Sequence, residues 1–142
     1  MSKTSVYLNF PGTTEDAFNF YQTIFGGENM GFMRYGDMPN PEQPLPDELA
    51  QKIMHTALPV GDMILMGADA IEGFGPPIIY GNNFSISVSA ESNAEADSLF
   101  GKLADGGIIT MPMQNTFWGD YFGMCTDKFG INWMVSFALP KE

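Results

Sequence analysis

Cysteine, histidine, basic side chains and long apolar runs are all scarce in this chain of 142 residues, which has one Cys, one His and six Lys and Arg together. A lone cysteine closes no internal disulfide, so the fold must be held by packing. A compact domain of this length buries roughly 70% of the surface of its unfolded chain, which is enough for a core without staples. With 17 acidic residues the net charge is −11. A phosphate backbone would meet repulsion instead of the contacts that release counterions, so nucleic acid is excluded as a partner. An anionic membrane surface is disfavoured for the same reason. No apolar run approaches the ~20 residues of a membrane helix, and the opening MSKTSVYLNF has no apolar signal core or small-residue cleavage site. The expectation is a cytoplasmic protein whose partner is a small, largely uncharged molecule. The acidity itself reads as a solvated surface.

What is abundant is aromatic area at one end. Asn115 to Phe137, NTFWGDYFGMCTDKFGINWMVSF, holds both tryptophans and the cysteine. Either a packed core or the wall of a cavity accounts for that concentration.

Periodicity organises the chain. Val6, Leu8 and Phe10 alternate with Ser5, Tyr7 and Asn9, the pattern of a half-buried strand. Thr13 and Thr14 offer a helix N-cap, followed by Glu15 and Asp16. Ala17, Phe18, Tyr21, Ile24 and Phe25 then recur at helical spacing until Gly26-Gly27. Three strands follow near Gly31–Tyr35, Lys52–Leu58 and Met63–Met66, the last two joined by a Gly61-Asp62 turn. Between the first two lies MPNPEQPLPDELAQ, too rich in proline for a central strand. It reads as a flap over a site or as a plain long loop.

The pattern restarts at Asn82. Phe84, Ile86 and Val88 match the first strand at an offset of 78, and Ala96, Leu99, Phe100 and Leu103 match the helix at 79, ending in Gly106-Gly107. Strands near Ile108–Gln114, Phe122–Asp127 and Asn132–Phe137 follow, the last two joined around Lys128-Phe129-Gly130. The chain therefore reads as α+β, a single domain of two tandem βαβββ modules (about 4–69 and 82–138) with a 70–81 linker.

Strand parity selects the residues that meet a ligand. Helices cover Val6, Leu8, Phe10, Phe84, Ile86 and Val88, so Ser5, Tyr7, Asn9, Asn83, Ser85 and Ser87 face a concave side. In the last strand Trp133, Val135 and Phe137 go with the helix, and Asn132, Met134 and Ser136 with the concavity. At a matching offset of 69, Met63, Leu65 and Gly67 join the concave set. That face carries no charge, which favours a sheltered cavity over bulk exposure. Phe117, Trp118, Asp120 and Tyr121 fall in the loop before the penultimate strand and read either as a pocket rim or as a local apolar cluster. The candidate ligand-binding set is Tyr7, Asn9, His55, Leu65, Asn83, Ser85, Trp118, Asp120, Tyr121 and Met134.

SVYLNFPGTTEDAFNFYQTIFGGE, MHTALPVGDMILMGAD and above all TFWGDYFGMCTDKFGINWM resemble the PhnB-like branch of the vicinal oxygen chelate superfamily, with glyoxalase I, bleomycin-resistance proteins and extradiol dioxygenases. The resemblance implies paired βαβββ modules whose curled mixed sheets form a cavity, a glyoxalase/bleomycin-resistance-like fold, and a homodimer. Superfamily enzymes hold a divalent metal through His, Glu or Gln on the first and last strands of each module. Here those positions are about Ser5, Leu65, Asn83 and Met134, which lack the donors such a cation needs. No metal and no cofactor are expected. His55 reads as a structural histidine, a pocket anchor, or a metal ligand or base. Cys125 reads as inert packing, and Asp120 and Asp127 as loop and turn acids. Some relatives carry a methyltransferase label, yet the glycine pairs here follow helices and not the strand of a cofactor-binding loop. The leading expectation is a metal-free binding protein. A metal-dependent glyoxalase-like lyase or dioxygenase working through His55 is the alternative, and a ligandless interaction scaffold a third.

Overall fold

The structure, a computed structural model, describes residues 2–38, 45–73 and 75–140. It divides into two compact units, Met1–Ile79 and Tyr80–Glu142. The fold is α+β: each unit pairs a four-stranded mixed sheet with a twelve-residue helix.

The first unit runs β1 (Val6–Phe10), α1 (Thr14–Phe25), β2 (Phe32–Arg34), a 3-10 turn (Tyr35–Asp37), a one-turn α2 (Asp47–Ala50), β3 (Ile53–Val60) and β4 (Met63–Asp69). The second runs β5 (Ile86–Ser89), α3 (Asn93–Ala104), β6 (Ile108–Asn115), β7 (Asp120–Thr126) and β8 (Asn132–Ala138). Strand orders are β1-β4-β3-β2 and β5-β8-β7-β6, the same permutation twice. In each the first strand lies parallel to the last, and the remaining pairs are antiparallel. Residues 39–44 of the proline-rich segment lie outside the described residues, and so does the choice between flap and loop.

Helical spacing delivers the cores. Ala17, Phe18, Tyr21 and Ile24 of α1 are buried with Leu8, Phe10, Leu58 and Leu65, and Phe18 meets Phe10 and Tyr21 edge-on. Gly67 exists for this helix, since a Cβ there would stand 2.6 Å from the Phe18 ring. In the second unit Ala96, Phe100 and Leu103 of α3 are buried, as are Cys125, Trp133 and Val135. Ser92 caps α3, its hydroxyl accepting from the Glu95 N–H at 3.0 Å.

The first helix is capped otherwise. Thr13 makes no side-chain cap. The carboxylate of Asp69, 55 residues away and 4% exposed, accepts from the Thr14 N–H at 3.0 Å and the Thr14 hydroxyl at 2.6 Å. Its other oxygen accepts from the Ile53 N–H at 2.8 Å. A negative charge at a helix N-terminus is favourable and satisfies an otherwise orphaned donor.

Register corrects three expectations. Val6 pairs with Leu65 and Ile86 with Trp133, so first- and last-strand partners differ by 59 in one unit and 47 in the other, and offsets of 78 and 69 cannot both hold. With parity kept in β5, β4 therefore has the reverse of the parity expected. Leu65, 1% exposed, lies beneath α1 and not on the opposite face. β5 begins only at Ile86, which leaves Asn83, Phe84 and Ser85 ahead of it, with Phe84 62% exposed where a helix contact was expected. Lastly, Asp120 and Tyr121 begin β7 and are not loop residues.

Replacing Asp69 by Ala strands three buried donors at once. Hydrogen bonds to charged groups contribute about 1.5–3 kcal/mol each and are not additive. Asp69→Ala should cost roughly 3–5 kcal/mol in a urea titration. A loss under about 1 kcal/mol, the size of an ordinary surface change, would show that the carboxylate does not organise the unit.

Candidate functional site

Each sheet has one face under its helix and one turned away. Tyr7, Met66 and Ala57 form a row of register partners across β1, β4 and β3, opposite in parity to buried Leu8, Leu65 and Leu58. Asn9 and Ala68 follow on the same face. His55 also lies there: its ring centroid is 5.9 Å from that of Tyr7, with the planes tilted by 31°. Tyr7 on β1 and His55 on β3 thus reach towards each other across β4. Burial, and secondarily Tyr35, raises the Tyr7 pKa, so the phenol keeps its proton and can donate.

Beyond His55, towards β2, lies an open cavity of about 480 Å³. Met30, Gly31, Phe32, Met33, Asp37, His55 and Ala57 line it. Met33 and His55 are register partners, so their side chains rise side by side. The wall is pinned to β3: the Met30 N–H donates to the Ala57 carbonyl at 2.8 Å, and the Thr56 hydroxyl bridges Gly31 O at 2.9 Å and Asn29 Oδ1 at 3.1 Å. Gly31 turns the chain at φ 116°, a conformation that side chains strain. Asp37 is held through Oδ2, which accepts from the Arg34 N–H at 2.9 Å. The guanidinium of Arg34 is itself anchored on Glu15 at 2.9 Å and on Gln51 O at 2.7 Å.

The second sheet presents a row of Ser87, Met134 and Met124 on its open face, equivalent to Tyr7, Met66 and Ala57. The same pairing sets Phe122 in the place of His55, and Trp118 packs on it edge-on with ring centroids 5.8 Å apart. Trp118 Nε1–H donates to Asp120 at 3.0 Å, and Phe117 beyond it is 97% exposed.

The structure thus brings Tyr7, Asn9 and His55 together on one open face, and sets Met134 on the open face of the second sheet. Trp118 and Asp120 bond to each other at the β6–β7 turn. Asn83 is exposed ahead of β5, and Leu65 is core. Tyr121 belongs to the helix side, where its hydroxyl donates to Asp97 of α3, the bond that chiefly raises its pKa. Met30, Phe32, Met33 and Asp37 were missed. Pairing the predicted β2 with β3 would have set Met33 beside His55, but nothing local marks the others.

A divalent metal at the superfamily's positions does not fit. The open-face residues of β1, β4, β5 and β8 include Tyr7, Met66, Ser87, Met134 and Ser136, with no carboxylate or imidazole among them. Among the described residues no three His, Cys, Asp or Glu side chains gather. Among those residues too, no helix is long and apolar enough to cross a membrane.

A family model described as 3-demethylubiquinone-9 3-methyltransferase, the PhnB-like family, matches residues 2–136. The chain belongs to this family. A PhnB protein from Bacillus cereus is 28% identical with a TM-score of 0.77, covering 96% of this chain and all of that one. Protein PA1353 from Pseudomonas aeruginosa is 38% identical with a TM-score of 0.86, covering 99% and 100%. Protein YjdN of Escherichia coli K12 is 30% identical over 136 residues, 93% of this chain and 92% of that one. The fold is shared with a glyoxalase/bleomycin resistance protein/dioxygenase family enzyme from Burkholderia phytofirmans and a glyoxalase-related enzyme from Fulvimarina pelagi, each at 16% identity and TM-score 0.61, a likeness of architecture alone.

Cys125 of this PhnB-like chain is 2% exposed, and its thiol is pushed up to about 11, first by burial and then by Asp127. The fold favours the protonated thiol, so the associated stability is present below about pH 9, the ordinary thiol value, and is lost as pH rises towards 11. Iodoacetamide at pH 8 should leave the native thiol intact and alkylate it fully in urea. Rapid native labelling read by mass spectrometry would contradict this placement.

Proposed function

We propose that this PhnB-like protein binds a small, largely uncharged molecule on the open face of its first sheet, in the cavity beside His55. One observation carries the reading: on a chain of net charge −11, a neutral sheet face holds an oriented Tyr7–His55 pair leading into a 480 Å³ cavity with a single acidic wall residue, Asp37. Pockets of about 300–1,000 Å³ with few polar groups are the usual form of small-molecule sites. His55 acts as an anchor: its imidazole can donate or accept, and its ring is steadied by Tyr7. Tyr7, with its proton retained, supplies a donor.

The reading assigns no chemical step. Methyl transfer, named in the family's description, would need a bound methyl donor, and the β1–α1 connection Pro11-Gly12-Thr13 has one glycine where a cofactor-cradling loop uses several. A homodimer, implied by the family resemblance, is compatible with the reading but not required by it.

A panel of uncharged small molecules should contain compounds that raise the melting temperature, because a ligand of the native state at a hundredfold excess over Kd stabilises by about 2.7 kcal/mol. Met33 is 48% exposed, so Met33→Glu should leave the unliganded melting temperature within a degree or two and abolish the ligand-induced rise. A panel without effect, or a rise untouched by Met33→Glu, would defeat the reading.

A further inference from the structure

We infer that Met30 and Met33 are a peroxide-modified pair that controls the cavity beside His55: as thioethers they leave it open to an uncharged molecule, and as sulfoxides they lower its affinity. This concerns the regulation of the site read above and rests on that reading.

Sulfur in this chain is unevenly offered to water. The one cysteine, Cys125, is 2% exposed. Among the described residues the well-exposed methionines are Met30, Met33 and Met38, at 68%, 48% and 38%, and every other described methionine is half-buried. All three fall between residues 30 and 38, and two of them line the cavity. Met33 is also the register partner of His55, so both side chains leave the same face of the sheet. The exposed sulfur is therefore gathered at the site and not scattered.

The chemistry needs only a neutral hydroperoxide such as hydrogen peroxide. A lone pair on sulfur attacks one peroxide oxygen and the O–O bond breaks. The proton on the attacked oxygen moves to the departing hydroxide to make water, so sulfur loses two electrons and gains one oxygen. Charge separates as the bond breaks, and sulfur in contact with water therefore reacts ahead of sulfur packed against protein. The net charge of −11 repels anionic oxidants and leaves an uncharged peroxide unaffected.

A sulfoxide is polar, with an oxygen that accepts hydrogen bonds and donates none. Asp37, which lines the same cavity, also only accepts when ionised. A neutral molecule entering among these residues must strip water from the new oxygens, and a polar group left unpaired costs binding energy. The fold is spared, because the Met30 N–H bonds to Ala57 O through the backbone and both side chains are exposed. Methionine sulfoxide reductases return the thioether, which makes the change reversible.

The test treats the full chain with dilute hydrogen peroxide and reads each methionine by peptide mass spectrometry. Met30 and Met33 should form sulfoxide at least about threefold faster than any half-buried methionine, with the melting temperature kept within about two degrees. Binding is then measured for N-phenyl-1-naphthylamine, an uncharged fluorescent probe, and for each uncharged panel compound that raises the melting temperature. Oxidation should weaken it about fivefold or more, and treatment with the reductases should restore it. In a Met30→Leu/Met33→Leu variant the affinities before and after peroxide should agree within about twofold; should that variant bind too weakly to measure, recovery by the reductases decides. Uniform oxidation across the methionines, an affinity indifferent to it, or a loss that persists in the leucine variant would overturn the inference and leave the binding reading standing. If neither the probe nor any panel compound binds the untreated protein, both fall.

Discussion

The first unit depends on one buried carboxylate. Asp69 ends β4, starts α1 through Thr14 and fixes the beginning of β3 through Ile53. A carboxyl group so deeply buried persists only when its oxygens are hydrogen-bonded, and here three donors from two other elements bond to them. The bonds are long-range, so the helix start cannot open without unpinning the sheet. That couples α1, β3 and β4 into one cooperative element, and the Tyr7–His55 pair sits on the far side of those strands.

The two units share strand order but not their fixings. In the second unit Asp127 does the clamping, from the end of β7: it accepts from the Phe129 and Ile131 N–H groups and, at 2.8 Å, from Trp133 Nε1–H. That clamp secures the β7–β8 turn and the core tryptophan. The first unit's clamp secures a helix and the strand bearing His55. Divergence also shows on the open faces, where Tyr7 and His55 are answered by Ser87 and Phe122. Similar backbones thus carry two hydrogen-bonding rings in one unit and a serine with a phenylalanine in the other.

The repeat, the two long helices and every strand were legible in the residues, because helical and alternating periodicities register burial directly and glycine pairs mark helix ends, whereas the one-turn α2 fell in the segment read as flap or loop. Trp133 was read correctly as core. What failed was alignment between the repeats. Phe84 looked like Val6, yet it stands ahead of β5 and is 62% exposed. Leu65 was lost to a single residue of offset, since one step reverses a strand's faces. Tyr121 was placed in the loop before the penultimate strand, but it lies within β7 and its hydroxyl bonds to Asp97, a partner 24 residues distant. The Asp69 clamp was invisible for the same reason: short-range patterns propose Thr13 or Thr14 as the cap and say nothing of an acceptor 55 residues on. The cavity beside His55 depends on how β2 pairs with β3, and three residues with a register shift after Met33 leave too little pattern to fix that pairing.

Two of the four outer strands bear irregularities. β2 is short and shifts register, while β6 carries Pro112 and two register shifts against β7. Proline offers no N–H, and a bulge twists a ribbon away from the plane that a docking strand requires. Such borders make poor templates for edge-to-edge aggregation. A chain with bare isoleucines at 108 and 109, 66% and 52% exposed, can therefore carry them on a sheet margin without inviting strand-by-strand growth into fibres.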